Sequence, residues 1–89
     1  MAFDVFVSYS HKDKAVADAV VSSLENNKIR CWYAPRDINP SDDWGEAISE
    51  AIAKSKVFLL IFSGSANRSR HVLDELILAI DEEITVLPF

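Results

Sequence analysis

Apolar and polar positions along the chain fall into short runs and longer periodic stretches. Four short runs are rich in β-branched and aromatic residues, which favour strands. One of them, VFLLIF, is almost unbroken, as expected for a strand that is covered on both faces. The pattern predicts four strands, at residues 3–9, 29–33, 57–62 and 84–87.

Between these runs, apolar residues recur every three or four positions, which is the period of an amphipathic helix. Three helices are predicted. The first ends near residue 26, the second ends near residue 54, and the third spans residues 70 to 81 or 82. Polar residues suited to capping precede each one. Ser10 with Asp13 and Asp43 with Glu46 have capping-box spacing, and Ser69 is the candidate cap of the third helix.

Strands and helices alternate along the whole chain, which predicts an α/β fold with a parallel sheet and right-handed crossovers. The length of 89 residues fits one domain, residues 1–89. The last predicted element is a strand, with no helix to close that side of the sheet. We therefore expect either part of a longer protein or a minimal version of the fold.

Charge and cysteine content narrow the functional classes. The net charge of −5 argues against a general nucleic-acid binder, which usually carries a basic face. Cys31 is the only cysteine, so no intrachain disulfide can form and a reducing compartment is the simpler expectation. No apolar run approaches the roughly 18 residues of a membrane span. The sequence predicts a cytoplasmic protein with neither a membrane nor a nucleic acid as partner.

Candidate chemistry lies at the carboxyl ends of the strands, where parallel sheets bind ligands. Four segments are expected to meet there: residues 9–11, residues 35–43, residues 63–69 and the first turns of the third helix. In that helix, Glu75 lies just outside one edge of the apolar arc, and His71 lies on the same edge. Both are expected to face the crevice, although the pattern alone favours an ordinary, partly exposed carboxylate at Glu75.

Other site motifs are missing from the sequence. There is no GxGxxG, no Walker A loop, no CxxC and no HExxH, so neither a cofactor nor a metal is expected. The stretch SGSANRSR precedes a helix N-terminus and suits an anion, although an ordinary turn capped by Ser69 explains it equally well. A phosphorylation receiver shares the element order. It is set aside because the acidic residues it needs after the first and third strands are missing.

Four stretches in register, FDVFVSYSHKD, CWYAPRDINPSDDWGEAI, SKVFLLIFSGSANRSRHVLDEL and ITVLPF, resemble a Toll/interleukin-1 receptor (TIR) domain of the bacterial or archaeal kind. The resemblance runs along nearly all of the chain. It implies a flavodoxin-like, three-layer fold whose family sheet has five strands. This chain resembles the first four strands and the first three helices, and the C-terminal part of the family fold is absent.

The resemblance implies one of two functions. Some members cleave the nicotinamide–ribose bond of NAD⁺, which is then a substrate and not a cofactor, and release ADP-ribose or a cyclic isomer. Others are scaffolds in immune or cell-death signalling that self-associate with other TIR domains. Glu75 occupies the position of the family's catalytic glutamate. The implied substrate contacts are Tyr9, Ser10, His11, Asp37, Trp44 and His71, and the implied assembly loop consists of Pro35, Arg36, Asp37, Ile38, Asn39 and Pro40.

A single catalytic carboxylate is compatible with this reaction. Hydrolysis of an O-glycoside needs two carboxyl groups, one of which protonates the leaving group. The pyridinium of NAD⁺ leaves as neutral nicotinamide and needs no proton, so one glutamate can stabilise the oxocarbenium charge. His71 stands where many enzymatic members have a tryptophan. Two alternatives remain open, a non-enzymatic scaffold and a nucleoside-cleaving enzyme for which Arg68 and Arg70 would be dispensable.

Overall fold

Four parallel strands form one sheet in the computed structural model, which describes residues 3–34, 36–61, 63 and 69–89. The strands are β1 (Phe3–Ser8), β2 (Cys31–Trp32), β3 (Ser55–Leu60) and β4 (Thr85–Pro88). Their spatial order is β2-β1-β3-β4, which is the flavodoxin-like order through the fourth strand. The predicted parallel sheet is confirmed, and it brings the carboxyl ends of β1 and β3 to one edge.

Helices cover both faces of the sheet. They are α1 (Lys14–Asn26), α2 (Trp44–Ala53) and α3 (Arg70–Asp81), and a 3-10 turn, His11–Asp13, precedes α1. Because neighbouring strand residues point to opposite faces, Val7 packs with α1 while Phe6 packs with α2 and α3. The predicted three-layer arrangement is therefore confirmed.

Aromatic rings build the core beneath α2 and α3. The ring of Phe6 stacks on Trp32 at a centroid distance of 5.2 Å and on Phe58 at 5.5 Å. All three rings are buried. Because Phe6 lies on β1, in the middle of the sheet, this stack joins three adjacent strands and fixes the strand from which the site is built.

Strand β2 is shorter than predicted because turn hydrogen bonds use the backbone on either side of it. Before the strand, Lys28 has a φ of 65° and the N–H of Ile29 donates to the carbonyl of Leu24. After the strand, the N–H of Tyr33 donates to the carboxylate of Asp37. The strand is therefore limited to Cys31–Trp32, although the carbonyl of Arg30 also accepts the N–H groups of Asp4 and Val5 on β1.

Two of the three predicted helix caps are confirmed. Asp43 Oδ1 accepts the N–H of Glu46 at 3.0 Å, and Ser69 Oγ accepts the N–H of Val72 at 3.4 Å. The prediction for Ser10 with Asp13 is wrong, because neither side chain caps the backbone. The 3-10 turn intervenes, and the carboxylate of Asp13 instead accepts the hydroxyl of Ser63.

Several large apolar side chains remain exposed at the β4 side of the molecule. Leu73, Ile77 and Ile80 lie on the outer side of α3, while Leu87 and Phe89 lie on or just after β4. Within the described part of the chain, none of the helices has the length and apolar character required to span a membrane.

Candidate active site

A cavity of about 200 Å³ opens at the carboxyl end of β1. The end of β1, the 3-10 turn, the loop after β2 and the first turns of α2 and α3 form its walls. It contains five of the seven side chains predicted to bind or act on a substrate. The lining residues are Val7, Tyr9, His11, Ala34, Trp44, His71 and Glu75.

Glu75 is buried, with 6% of its surface exposed. It lies on the same side of α3 as Val72 and Ala79, the face that packs on the sheet. The expectation of a partly exposed carboxylate beside the apolar arc is therefore wrong. One carboxylate oxygen, Oε1, accepts a hydrogen bond of 2.7 Å from Ser8 Oγ, and this bond joins the helix to the last residue of β1.

Burial raises the pKa of Glu75 to about 7, since the charged form is costly where water is excluded. The hydrogen bond from Ser8 offsets part of this rise in pKa, whereas the negative charge of Asp74 adds to it. The carboxyl group therefore changes its charge near neutral pH. A group poised in this way can act as a base or as an anion that stabilises positive charge.

His71 and Tyr9 hold two walls of the cavity together. His71 Nε2 lies 3.1 Å from the backbone oxygen of Tyr9, so this nitrogen carries the proton and donates it. The hydroxyl of Tyr9 donates to the carbonyl of Ala34, in the loop after β2. Burial raises the pKa of the Tyr9 hydroxyl, which keeps it protonated as this donor. One residue at the end of β1 thus connects α3 with that loop.

Trp44 and His11 form the outer rim of the cavity. Trp44 is the first residue of α2 and is 55% exposed, whereas Trp32 is buried in the core. The role of Trp44 as a substrate contact, which the resemblance implies, stays a prediction. An exposed indole beside a cavity offers a flat apolar face on which a ring can stack.

Two of the predicted substrate contacts do not line the cavity. Ser10 is buried directly before the 3-10 turn. Asp37 accepts the backbone N–H of Tyr33 at 3.0 Å, pairs with Arg36 and borders a separate groove beside Trp32. Their roles as substrate contacts stay predictions.

The predicted assembly loop is anchored to the body of the domain through Arg36. Its guanidinium binds both oxygens of Glu25 on α1, at 2.8 and 2.9 Å, and the carbonyl of Cys31 at 3.0 Å. It also lies 4.7 Å from the centre of the Tyr33 ring. This arginine is therefore occupied within its own chain.

The tip of that loop is more open than its base. Ile38 packs against the core, whereas Asn39 and Pro40 are exposed. Pro35 lies outside the described residues, as do residues 64–68 of the stretch considered for anion binding. Ala34 and Trp44, at the two ends of the loop, line the cavity. A movement of the loop would therefore change the shape of the cavity.

Three residues at or beside the cavity were not predicted from the sequence: Ser8, Val7 and Ala34. Ser8 is the residue that contacts Glu75, although the three residues after it were selected. A signal was available: Ser8 has the same strand parity as Phe6, so its side chain points to the face covered by α3. Among the described residues, no three His, Cys, Asp or Glu side chains are grouped so that they could hold a metal ion.

A family model described as TIR domain matches residues 5–89 of the chain. Among curated proteins, the stimulator of interferon genes protein of Magallana gigas is 27% identical over 81 residues, which cover 90% of this chain and 20% of that protein. The chain thus spans about a fifth of the length of the curated relative it matches.

Solved structures share the fold. The TIR domain of the Toll-related receptor TRR-2 from Hydra magnipapillata has a TM-score of 0.88 at 23% identity, covering 98% of this chain and 69% of that one. The TIR domains of the activated Roq1 resistosome, which directly recognises the pathogen effector XopQ, have a TM-score of 0.88 at 19% identity. The match covers 98% of this chain and 56% of that one. A metazoan TIR-STING receptor from C. gigas has a TM-score of 0.82 at 24% identity, and the match covers 98% of this chain and 30% of that one.

The predicted TIR domain is confirmed, whereas its assignment to the bacterial or archaeal kind is not supported. The structures from Hydra magnipapillata and C. gigas are described as metazoan. The family model covers nearly the whole sequence, from β1 to the last residue. The chain therefore belongs to the TIR domain family.

Proposed function

We propose that this TIR domain is an NAD⁺ glycohydrolase that uses Glu75 to cleave the bond between nicotinamide and ribose. One observation carries the proposal: Glu75 is a buried carboxylate that lines a cavity at the carboxyl edge of the sheet. A solvated helix carboxylate would have no such environment. We also propose a cytoplasmic setting, in keeping with a substrate drawn from the cell's NAD⁺.

The chemistry suits one carboxylate. The bond between ribose C1′ and the pyridinium nitrogen breaks, and its electron pair neutralises the ring. The positive charge that develops on the ribose lies beside the anionic Glu75, where exclusion of water strengthens the attraction. Water then attacks C1′ and gives up a proton, yielding ADP-ribose. In the cyclic outcome, a nucleophilic group of NAD⁺ itself replaces the water.

The cavity fits one end of the dinucleotide. Its volume of about 200 Å³ is below the roughly 300–1,000 Å³ of typical ligand pockets. Tyr9, Trp44 and His71 offer aromatic surfaces for the nicotinamide ring. The adenosine end would lie outside, against surface supplied by the rim or by a second copy. This division supports a coupling between turnover and self-association.

Nicotinamide release, followed by chromatography over a protein dilution series, tests the proposal. Glu75→Gln keeps the side-chain volume and can still accept the Ser8 hydroxyl, but it carries no charge. We expect it to reduce release by at least about 100-fold, as for loss of one electrostatic stabiliser. Glu50→Gln, on the exposed part of α2, is the matched control and should retain wild-type turnover.

Two results would contradict the proposal. A Glu75→Gln variant as active as the wild type would remove this carboxylate from the mechanism. A wild-type chain that consumes no NAD⁺ at any concentration, yet associates as the concentration rises, would favour the scaffold. A free nucleoside, tested alongside NAD⁺, distinguishes the third possibility, because an enzyme for nucleosides would cleave it as readily.

A further inference from the structure

We propose that Ser8 is the positioning residue for Glu75: its hydroxyl holds one carboxylate oxygen and leaves the other for the substrate. This role rests on the proposed function. Ser8 is not among the residues that line the cavity. It would therefore act on the reaction only through Glu75.

The backbone of Ser8 is fixed by the middle of the sheet. It lies on β1 opposite Leu60 of β3, and its carbonyl accepts the N–H of Ile61 at 2.9 Å. Only 1% of Ser8 is exposed. A hydroxyl on a central strand has little freedom to move, so it is a rigid point of attachment for a longer side chain that arrives from a helix.

The hydrogen bond has a defined direction. An ionised carboxylate can only accept, so Ser8 must be the donor. The distance of 2.7 Å between Ser8 Oγ and Glu75 Oε1 is typical of a hydroxyl bound to a charged oxygen. Among the described residues, Ser8 is the donor that the structure assigns to this carboxylate. Removing the hydroxyl would leave Oε1 buried without a partner.

Ser8 opposes the other groups around Glu75 in their effect on the pKa of its carboxyl. Tyr9 faces the cavity from directly after β1, His11 faces it from the 3-10 turn, and His71 faces it from the preceding turn of α3. Burial and the neighbouring Asp74 both raise the pKa of Glu75, whereas the Ser8 hydrogen bond lowers it. Ser8 therefore favours the anionic form that the proposed reaction requires.

Two measurements on Ser8→Ala test this role: the pH profile of nicotinamide release and an NMR titration of the ¹³C-labelled Glu75 carboxyl. We expect the Glu75 pKa to rise by about one unit, the effect of losing one hydrogen bond to a charged group. Release at pH 7 should then fall about fivefold to tenfold. If release is still reduced at pH 9, where Glu75 is ionised, the remaining reduction measures the loss of its correct orientation.

Ser55→Ala is the matched control, because Ser55 is also buried and also donates one 2.7 Å hydrogen bond. Ser55 begins β3, at the end of the strand away from the cavity, and its hydroxyl binds the carbonyl of Ala51 on α2. It should leave the titration and the profile unchanged. Ser8→Thr keeps the hydroxyl and should restore most of the activity. If Ser8→Ala fails to fold, Ser8→Thr decides the matter: a hydroxyl that does not keep the wild-type profile overturns the role.

The outcomes separate the two proposals. An active wild type whose pH profile coincides with that of Ser8→Ala overturns the role of Ser8 and leaves the proposed function standing. A wild type that releases no nicotinamide overturns the proposed function, and the role of Ser8 in the reaction with it. In that case a shifted titration would reduce Ser8 to a structural partner of Glu75.

Discussion

Glu75 combines burial with a charge that its surroundings oppose. Burial raises its pKa from an ordinary 4.5 to about 7, so the folded chain binds this proton more tightly than the unfolded chain does. The stabilising contribution of the proton is complete below pH 4.5. It is lost as the pH rises through 7. The same property that suits the carboxylate to catalysis therefore lowers the stability of the fold in alkaline solution.

Glu75→Gln should remove this pH dependence. Its amide stays neutral, so above pH 8 the variant should be more stable than the wild type by up to about 3 kcal/mol, and at pH 4 the two should be similar. Urea unfolding at pH 4 and at pH 9 measures the difference. Equal stabilities at both pH values would show that the pKa of Glu75 is not raised in the folded chain.

Of the three helices in the described part of the chain, α2 and α3 begin at a side-chain cap and α1 does not. Asp43 starts α2, and the following residue, Trp44, forms part of the cavity rim. The start of α1 depends instead on the 3-10 turn, where the N–H of Asp13 donates to the carbonyl of Ser10 at 2.7 Å. The entry to α2 therefore serves both the stability of a helix and the shape of the site.

Substitutions at Asp43 and Ser10 should distinguish a helix start that depends on a side-chain cap from one that does not. Asp43→Ala is expected to lower the free energy of unfolding by about 1 kcal/mol, because one donor at the start of α2 loses its partner. Ser10→Ala should lower it by less than Asp43→Ala does, since the Ser10 side chain makes no capping bond. Chemical denaturation compares the two variants. A Ser10→Ala variant that loses as much as Asp43→Ala would contradict the observed start of α1.

For the domain as a whole, the loop after β2 connects the cavity with the surface. Arg36 holds the base of the loop against α1, whereas Asn39 is exposed near its tip. If copies of the domain associate through this tip, a charge at Asn39 will interfere between molecules without disturbing contacts inside one molecule. Arg36 would be a poor choice for the same test, because changing it also releases Glu25 and the carbonyl of Cys31.

Asn39→Lys is therefore expected to weaken self-association and, with it, NAD⁺ turnover at low protein concentration. Ser22→Lys places the same charge on the exposed side of α1 and serves as the control. Sedimentation velocity over a dilution series measures the association of both. If Asn39→Lys associates like the wild type, the tip of the loop is not the contact surface.

Most of the fold was predictable because apolar periodicity determines which segments are strands and which are helices. The differences arise where a side chain, and not apolar periodicity, decides the hydrogen bonding of the backbone. Strand β2 is short because Asp37, four residues further along, binds the N–H of Tyr33. The Asp13 carboxylate does not cap α1 and instead binds Ser63, fifty residues away, a contact that local spacing cannot reveal.

The candidate site was predictable in its location but not in its contacts. The carboxyl ends of β1 and β3 and the start of α3 meet as expected, and five of the selected side chains line one cavity. A helical wheel, however, places Glu75 at an edge of the helix. Whether that edge is buried depends on how α3 tilts on the sheet, and the pairing with Ser8 depends on that tilt as well.

Cys31 is a natural reporter of unfolding, because its thiol becomes accessible when the fold opens. It is 4% exposed on β2, and burial raises its pKa to about 11. At pH 8 only about one closed molecule in a thousand carries the reactive thiolate, so an alkylating reagent would modify the chain almost entirely through its opened form. Since the chain has no other cysteine, the rate of single-site labelling followed by mass spectrometry would rank the stabilities of all these variants with no engineered probe.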